Sequence, residues 1–393
     1  MKNKKVIYYL IGCFLAGIIF TSFAYSTRLA VLLDGFHMLR WWVYPLIIIV
    51  AFYVTLIIHE MTHFLSFYFN GTKLRAIYLT IFVFYKTENG WKFSVEPKLW
   101  VLVGGFVVPD LDEIKTDNDY NNTIEAFKKS LIAAPIATIF YLAFTVITMI
   151  IVLLYMPTPM FNALYFIYTI IVFILSMLYI KSFSISTSQI FGDFVAHKKI
   201  QKNKWFQLAQ FIQYQSLSLE HGNYNSYLFQ KSVQLLSETK YISQLFQYMV
   251  LNYYLEGVNY YQQTHDHLLD KLFSQLKFSS FRKDEIGLMC AYEFAIFLYD
   301  QNEVDRSYQL YLKINEKNYK KIDDKLLYYL KVRYEHITHL NDYDAFLSNQ
   351  DNIYTDHTWI FHKMIDPYKD IYLKHQKRKK QAFVCLVDLK EKK

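Results

Sequence analysis

Apolar residues in the first half of the chain fall into long unbroken runs, while the second half shows shorter helical patterns rich in charge. Four runs stand out, at residues 6–26, 42–69, 131–155 and 161–181. At about 1.5 Å per residue, each is long enough to cross roughly 30 Å of hydrocarbon as a helix. The first follows a basic start and ends in FAYS, which is a poor cleavage site for a signal peptide. It reads as a retained span.

Between the second and third runs the pattern changes. LRAIYLTIFVFYK and WKFSVEP are β-branched and aromatic, and they flank Asn89-Gly90, a strong hairpin-turn signal. LWVLVGGFVVP follows, too short to span and broken by Gly104, Gly105 and Pro109. The expectation is a β-hairpin with a re-entrant or interfacial piece. Such backbone survives at membrane depth only against protein or a wet cavity. From about residue 200 the period is helical. Cys290 to Ile314 reads as an α-hairpin resembling a tetratricopeptide unit, with a similar pair expected around 241–276. The fold class is therefore an α-helical polytopic membrane protein with about four transmembrane helices. Residues 1–200 form the membrane domain and 201–393 a soluble α-helical domain.

Charge adds a topology. The formal net charge is +8, and much of it sits in Lys2, Lys4, Lys5 and the run Lys374 to Lys380. Lys and Arg mark cytoplasmic flanks, so four spans place both termini in the cytoplasm of an integral cell-membrane protein. No stacking or groove-reading motif accompanies the basic tail, so nucleic acid is not an expected partner. The lipid bilayer is, and anionic headgroups suit the basic tail. Cys13, Cys290 and Cys385 are far apart and form neither a disulfide framework nor a Cys-x-x-Cys metal pair.

The second run contains LIIHEMTHFLSFYF, with His59, Glu60 and His63 inside an apolar helix. Ionisable residues are costly there and usually functional. On a helix, positions i and i+4 share a face, so His59 and His63 can both ligate one Zn2+. Glu60 can act as general base on a zinc-activated water. Arg40 marks the outer end of this helix, and His59 lies 19 residues later, which is about 28 Å. That depth is towards the cytoplasmic side, where water can enter.

A catalytic zinc needs a third protein ligand. Here the chain resembles the site-2 protease family of intramembrane zinc metalloproteases, over about residues 42–200. SLIAAPIATIF places Ala134, Pro135 and Thr138 where that family has a Gly-Pro-x-x-Asn pattern, with Ala for Gly and Thr for Asn. SFSISTSQIFGDFVAH matches the extended segment before the family's third core helix, and Asp193 is the counterpart of its aspartate ligand, though Gly192 precedes it where the family's glycine follows. The resemblance implies cleavage of peptide bonds in or near the transmembrane segments of a membrane-protein or peptide substrate. It implies Thr138, Ser186 and Ser188 as substrate-binding residues, and a strand edge within 75–108 that holds unwound substrate by β-addition. The helical domain is expected to bind a protein partner. The alternative function is a membrane-anchored helical-repeat scaffold whose membrane domain binds zinc without cleaving.

Other histidines lack supporting neighbours in the sequence. His197 reads as interfacial beside Lys198 and Lys199, and His265, His267, His336, His339, His357 and His362 as solvated.

Overall fold

A computed structural model describes residues 27–380 except 103, 188–190, 221, 223, 318, 320, 321, 355–358 and 366–368. The expected span at 6–26 lies outside the described residues, as does Ser188. Among the described residues, the chain divides into two compact units: the first is residues 27–65, 130–186 and 191–195; the second is 66–129, 187 and 196–380. The sequence reading drew one boundary near 200; by contacts, residues 66–129 group with the C-terminal helices.

Among the described residues, four helices contribute to the first unit: α1 (Thr27–Met38), α2 (Val43–Phe69), α3 (Asp117–Tyr155) and α4 (Pro159–Ser182). Among the described residues, α2, α3 and α4 are long and apolar enough to cross a membrane. Residues 27–38, between the first two apolar runs, are helical. Leu32 and Phe36 of α1 pack against Leu153, Ala163 and Phe166. Gly35 permits this, because a Cβ there would sit 2.1 Å from the Pro159 carbonyl oxygen.

The packing of the long helices is inverted relative to a protein folded in water. Ala51, Thr55, Ala134, Thr138 and Ser176 are fully buried, while Phe140 is 72% and Leu178 60% exposed. Small and weakly polar residues inside let backbones approach, and large apolar residues outside suit lipid. Interhelical hydrogen bonds join α3 to α4, between the Tyr141 and Tyr168 hydroxyls and between Thr148 Oγ1 and Tyr165 Oη at 2.5 Å. Pro135 lies inside α3, where it removes the N–H that would bond the carbonyl one turn back.

The second unit opens with a four-stranded antiparallel sheet, β1 (Lys73–Leu79), β2 (Phe82–Thr87), β3 (Gly90–Val95) and β4 (Gly105–Asp110), in the order β3-β2-β1-β4. It is larger than the expected hairpin. The β2–β3 reversal falls at Glu88–Asn89, one residue earlier than the Asn89-Gly90 signal implies, because Thr87 pairs with Gly90. The would-be re-entrant piece becomes a 3-10 turn (Pro97–Leu102) and then β4. Pro109 is tolerated because β4 is an edge strand.

One face of the sheet, Ala76, Tyr78, Val83 and Val108, forms a core with Leu217 and Met364. A register shift between Leu74 and Ala76 re-aims Arg75, which is buried and donates to the Leu217 carbonyl at 2.9 Å and the Met364 carbonyl at 3.2 Å. Tyr78 donates to the Ile360 carbonyl at 2.7 Å.

Among the described residues ten α-helices follow: α5 (Asp193–Lys202), α6 (Lys204–Ser216), α7 (Ser226–Ser237), α8 (Leu245–Tyr260), α9 (Asp270–Gln275), α10 (Glu285–Asp300), α11 (Val304–Asn315), α12 (Asp324–Ile337), α13 (Asp344–Leu347) and α14 (Ile371–His375). Asn203, Asn225 and Asp284 cap α6, α7 and α10 by accepting from backbone N–H groups. The expected α-hairpin is α10–α11, which pack together. Around 241–276 the long α8 is followed only by the short α9.

Candidate metal centre

The centre lies within the first unit. His59 and His63 stand one turn apart on α2, with ring centroids 4.9 Å apart and planes nearly perpendicular. Both are buried, as is Glu60 between them in sequence. Asp193, the first residue of α5, meets both rings: its Oδ2 is 3.2 Å from His59 Nε2 and 3.7 Å from His63 Nε2. The three ligand atoms lie within 4.8 Å of one another, and no other such His/Cys/Asp/Glu cluster occurs among the described residues.

Gly192 explains how Asp193 reaches the histidines. A Cβ at Gly192 would lie 2.1 Å from the Ser182 carbonyl oxygen. Without one, the chain folds back on the end of α4. Gly192 N–H bonds the Ile185 carbonyl at 2.9 Å, Phe194 N–H bonds the Phe183 carbonyl at 3.0 Å, and Ser186 bridges Phe191. The glycine before the aspartate is thus the residue this reversal needs.

The far sides of both rings are fixed by α3. Thr138 Oγ1 is 3.0 Å from His59 Nδ1, and Ser130 Oγ is 3.0 Å from His63 Nδ1. Each hydroxyl has one proton, and each has a carbonyl to give it to: Ala134 at 3.0 Å for Thr138, and His63's own at 3.4 Å for Ser130. The hydroxyls therefore accept from Nδ1–H, which leaves both Nε2 atoms as bare lone pairs. Two Nε2 atoms and a carboxylate oxygen then converge with no donor among them. Such a set calls for a cation, and two imidazoles with one carboxylate suit zinc. His59 is also stacked on Phe183, with centroids 5.2 Å apart and planes 9° apart.

The other sequence candidates fall as follows. Thr138 is fully buried and engaged with His59. Ser186 is exposed at the Phe191 bridge. His197 Nδ1 meets the Lys128 carbonyl at 3.0 Å, and its Nε2 meets Gln201 at 2.7 Å. His265 and His267 face Asp270, and His336 faces Asp342. Sequence reasoning passed over Ser130, Tyr179 and Phe183. For Ser130 a signal exists: Ser130 and Thr138 lie two turns apart on α3, the same stripe that meets His63 and His59.

Residues 47–274, more than half of the chain, match the family model for Peptidase family M50. The chain belongs to this family, which comprises the membrane metalloproteases of the site-2 protease type. No curated protein and no solved structure matches it.

Proposed function

We propose that this chain is a multi-pass intramembrane zinc endopeptidase that hydrolyses peptide bonds in or near the transmembrane segments of membrane proteins or peptides. The observation that carries the reading is the convergence of three acceptor atoms, from His59, His63 and Asp193, beside the buried Glu60. His59, His63 and Asp193 would hold the metal. Bound there, zinc would act as a Lewis acid and lower the pKa of a water to about 7. Glu60 takes the proton of the attacking water and passes it to the leaving amine. Ser130 and Thr138 keep the two imidazoles in the Nε2-accepting tautomer. Both termini lie on the cytoplasmic side, and the C-terminal helices recruit or filter substrates.

The test is the purified chain beside Glu60→Gln. Equal zinc in both, with cleavage of a membrane-protein substrate by the wild type alone, is the expected result. Zinc in both without cleavage of any native membrane substrate favours the scaffold, and absence of zinc sinks both readings.

A further inference from the structure

Two buried polar atoms at the centre have no hydrogen-bond partner among the described residues: Glu60 Oε2 and the Tyr179 hydroxyl. A general base accounts for the first. The second has no such account. An unpaired buried hydroxyl is costly, and phenylalanine would fill the same space without that cost. The Tyr179 ring lies nearly parallel to His59, with centroids 5.7 Å apart and planes 25° apart.

The two hydroxyls that meet the histidine rings are already committed. Thr138 stands where the family pattern has asparagine, a side chain with N–H groups to offer. Here it accepts from His59 and spends its proton on the Ala134 carbonyl. Ser130 is committed in the same way to His63. Neither has a donor left for a substrate oxygen, whereas Tyr179 does.

We propose that Tyr179 is a catalytic residue whose hydroxyl donates a hydrogen bond to the oxyanion that develops on the scissile carbonyl. This rests on the protease reading above. In the addition step the water oxygen bonds to the carbonyl carbon, and the π pair moves onto the carbonyl oxygen. In the second step that pair returns, the C–N bond breaks, and the amine leaves with the proton that Glu60 took from the water. Tyr179 keeps its own proton throughout. Its hydrogen bond strengthens only as charge builds on the oxygen, so its effect falls on kcat more than on KM.

The competing role is positional: Tyr179 turns to Glu60 and holds its carboxylate. The two roles separate experimentally. The full chain in detergent is compared as wild type, Tyr179→Phe and Glu60→Gln. The substrate probe is a Leu/Ala transmembrane peptide of about 20 residues with a central Gly-Pro break. The inhibitor probe is the same peptide carrying a phosphonamidate, whose tetrahedral oxygens resemble the addition intermediate. For Tyr179→Phe the expected results are a kcat about 10²–10³-fold lower and a KM within about threefold, as for loss of one oxyanion donor. Zinc content and thermal unfolding should be unchanged, phosphonamidate affinity should fall by about the same factor as kcat, and the acid limb of the pH profile should not move. A Tyr179→Phe enzyme with wild-type turnover and phosphonamidate affinity overturns the proposal alone. A lost rate accompanied by a shifted acid limb also overturns it, in favour of positioning. A wild type that neither cleaves the peptide nor binds the phosphonamidate overturns the protease reading itself.

Discussion

Glu60 in the first unit and Glu293 in the second are both buried carboxylates, and the two are treated in opposite ways. In the second unit, Glu293 is 3% exposed and both its oxygens are engaged. Arg333, also buried, donates to Oε1, while Tyr260 at 2.6 Å and Asn259 at 3.0 Å donate to Oε2. Burial alone would raise the Glu293 carboxyl, but the Arg333 and Lys374 cations, together with the hydrogen bonds from Tyr260 and Asn259, hold the group below its ordinary value. In the first unit, Glu60 is equally buried, yet its Oε2 has no hydrogen-bond partner among the described residues. A carboxylate completed by its own chain is a structural element. One left open beside bare imidazole nitrogens waits for something the chain does not supply.

The sharpest break of this comparison is to neutralise both carboxylates. Glu60→Gln should lower cleavage by about 10²–10⁴-fold, the usual contribution of a general base, with folding stability unchanged or raised. Glu293→Gln should do the reverse. It leaves Arg333 buried without its counter-charge, so a loss of about 3–5 kcal/mol in unfolding free energy is expected, with zinc content unaffected in whatever fraction stays folded. Replacing the pair together, by Glu293→Met with Arg333→Leu, should recover most of that loss. If Glu293→Gln unfolds no more readily than wild type, the pair is not the internal tie described here.

A smaller effect tests the rings' anchors. Thr138→Val keeps the shape of the side chain and removes the acceptor for His59 Nδ1–H, and Ser130→Ala does the same for His63. Each should weaken zinc binding by about 10–100-fold, read by competition with a chromogenic chelator. A variant with wild-type zinc affinity would show that its hydroxyl does not set the imidazole tautomer.

The comparison also shows what the sequence could carry. His59, Glu60 and His63 were legible because helical spacing alone puts them together and an apolar run makes them conspicuous. The long helices α2, α3 and α4 were legible for the same reason, since uninterrupted hydrophobicity has no other common cause. Tyr179 was not, because an isolated hydroxyl in a membrane helix looks the same whether it serves a neighbour or a substrate. The sheet was half legible: β-branched runs marked β1 to β3, but β4 was hidden by Gly104, Gly105 and Pro109, which read as interruption. The Glu293–Arg333 pair joins residues 40 positions apart, and no local pattern announces it. The helix α1 lay unremarked between two stronger signals.

The smallest effect extends the reach of the structural cluster to pH. His375 on α14 bonds Tyr329 through Nε2 at 3.0 Å. Burial is the first cause, and the nearby Arg333 cation the second, that lower its pKa from 6.5 to about 3. The folded protein therefore keeps His375 neutral at pH values where the unfolded chain protonates it. Below the unfolded pKa the unfolded state binds the extra proton, so stability present above about pH 6.5 is lost as the pH falls. Between pH 7 and pH 5 the loss from this one group should be about 1–2 kcal/mol. Urea unfolding of the intact chain at both pH values, for wild type and His375→Gln, measures it. Glutamine keeps a polar group near Tyr329 without titrating, so the variant should show a shallower decline with acid by that amount. Equal declines would mean that His375 gains its proton in the folded state as readily as in the unfolded one. The burial and the Arg333 charge that hold His375 neutral would then have no effect on stability in acid.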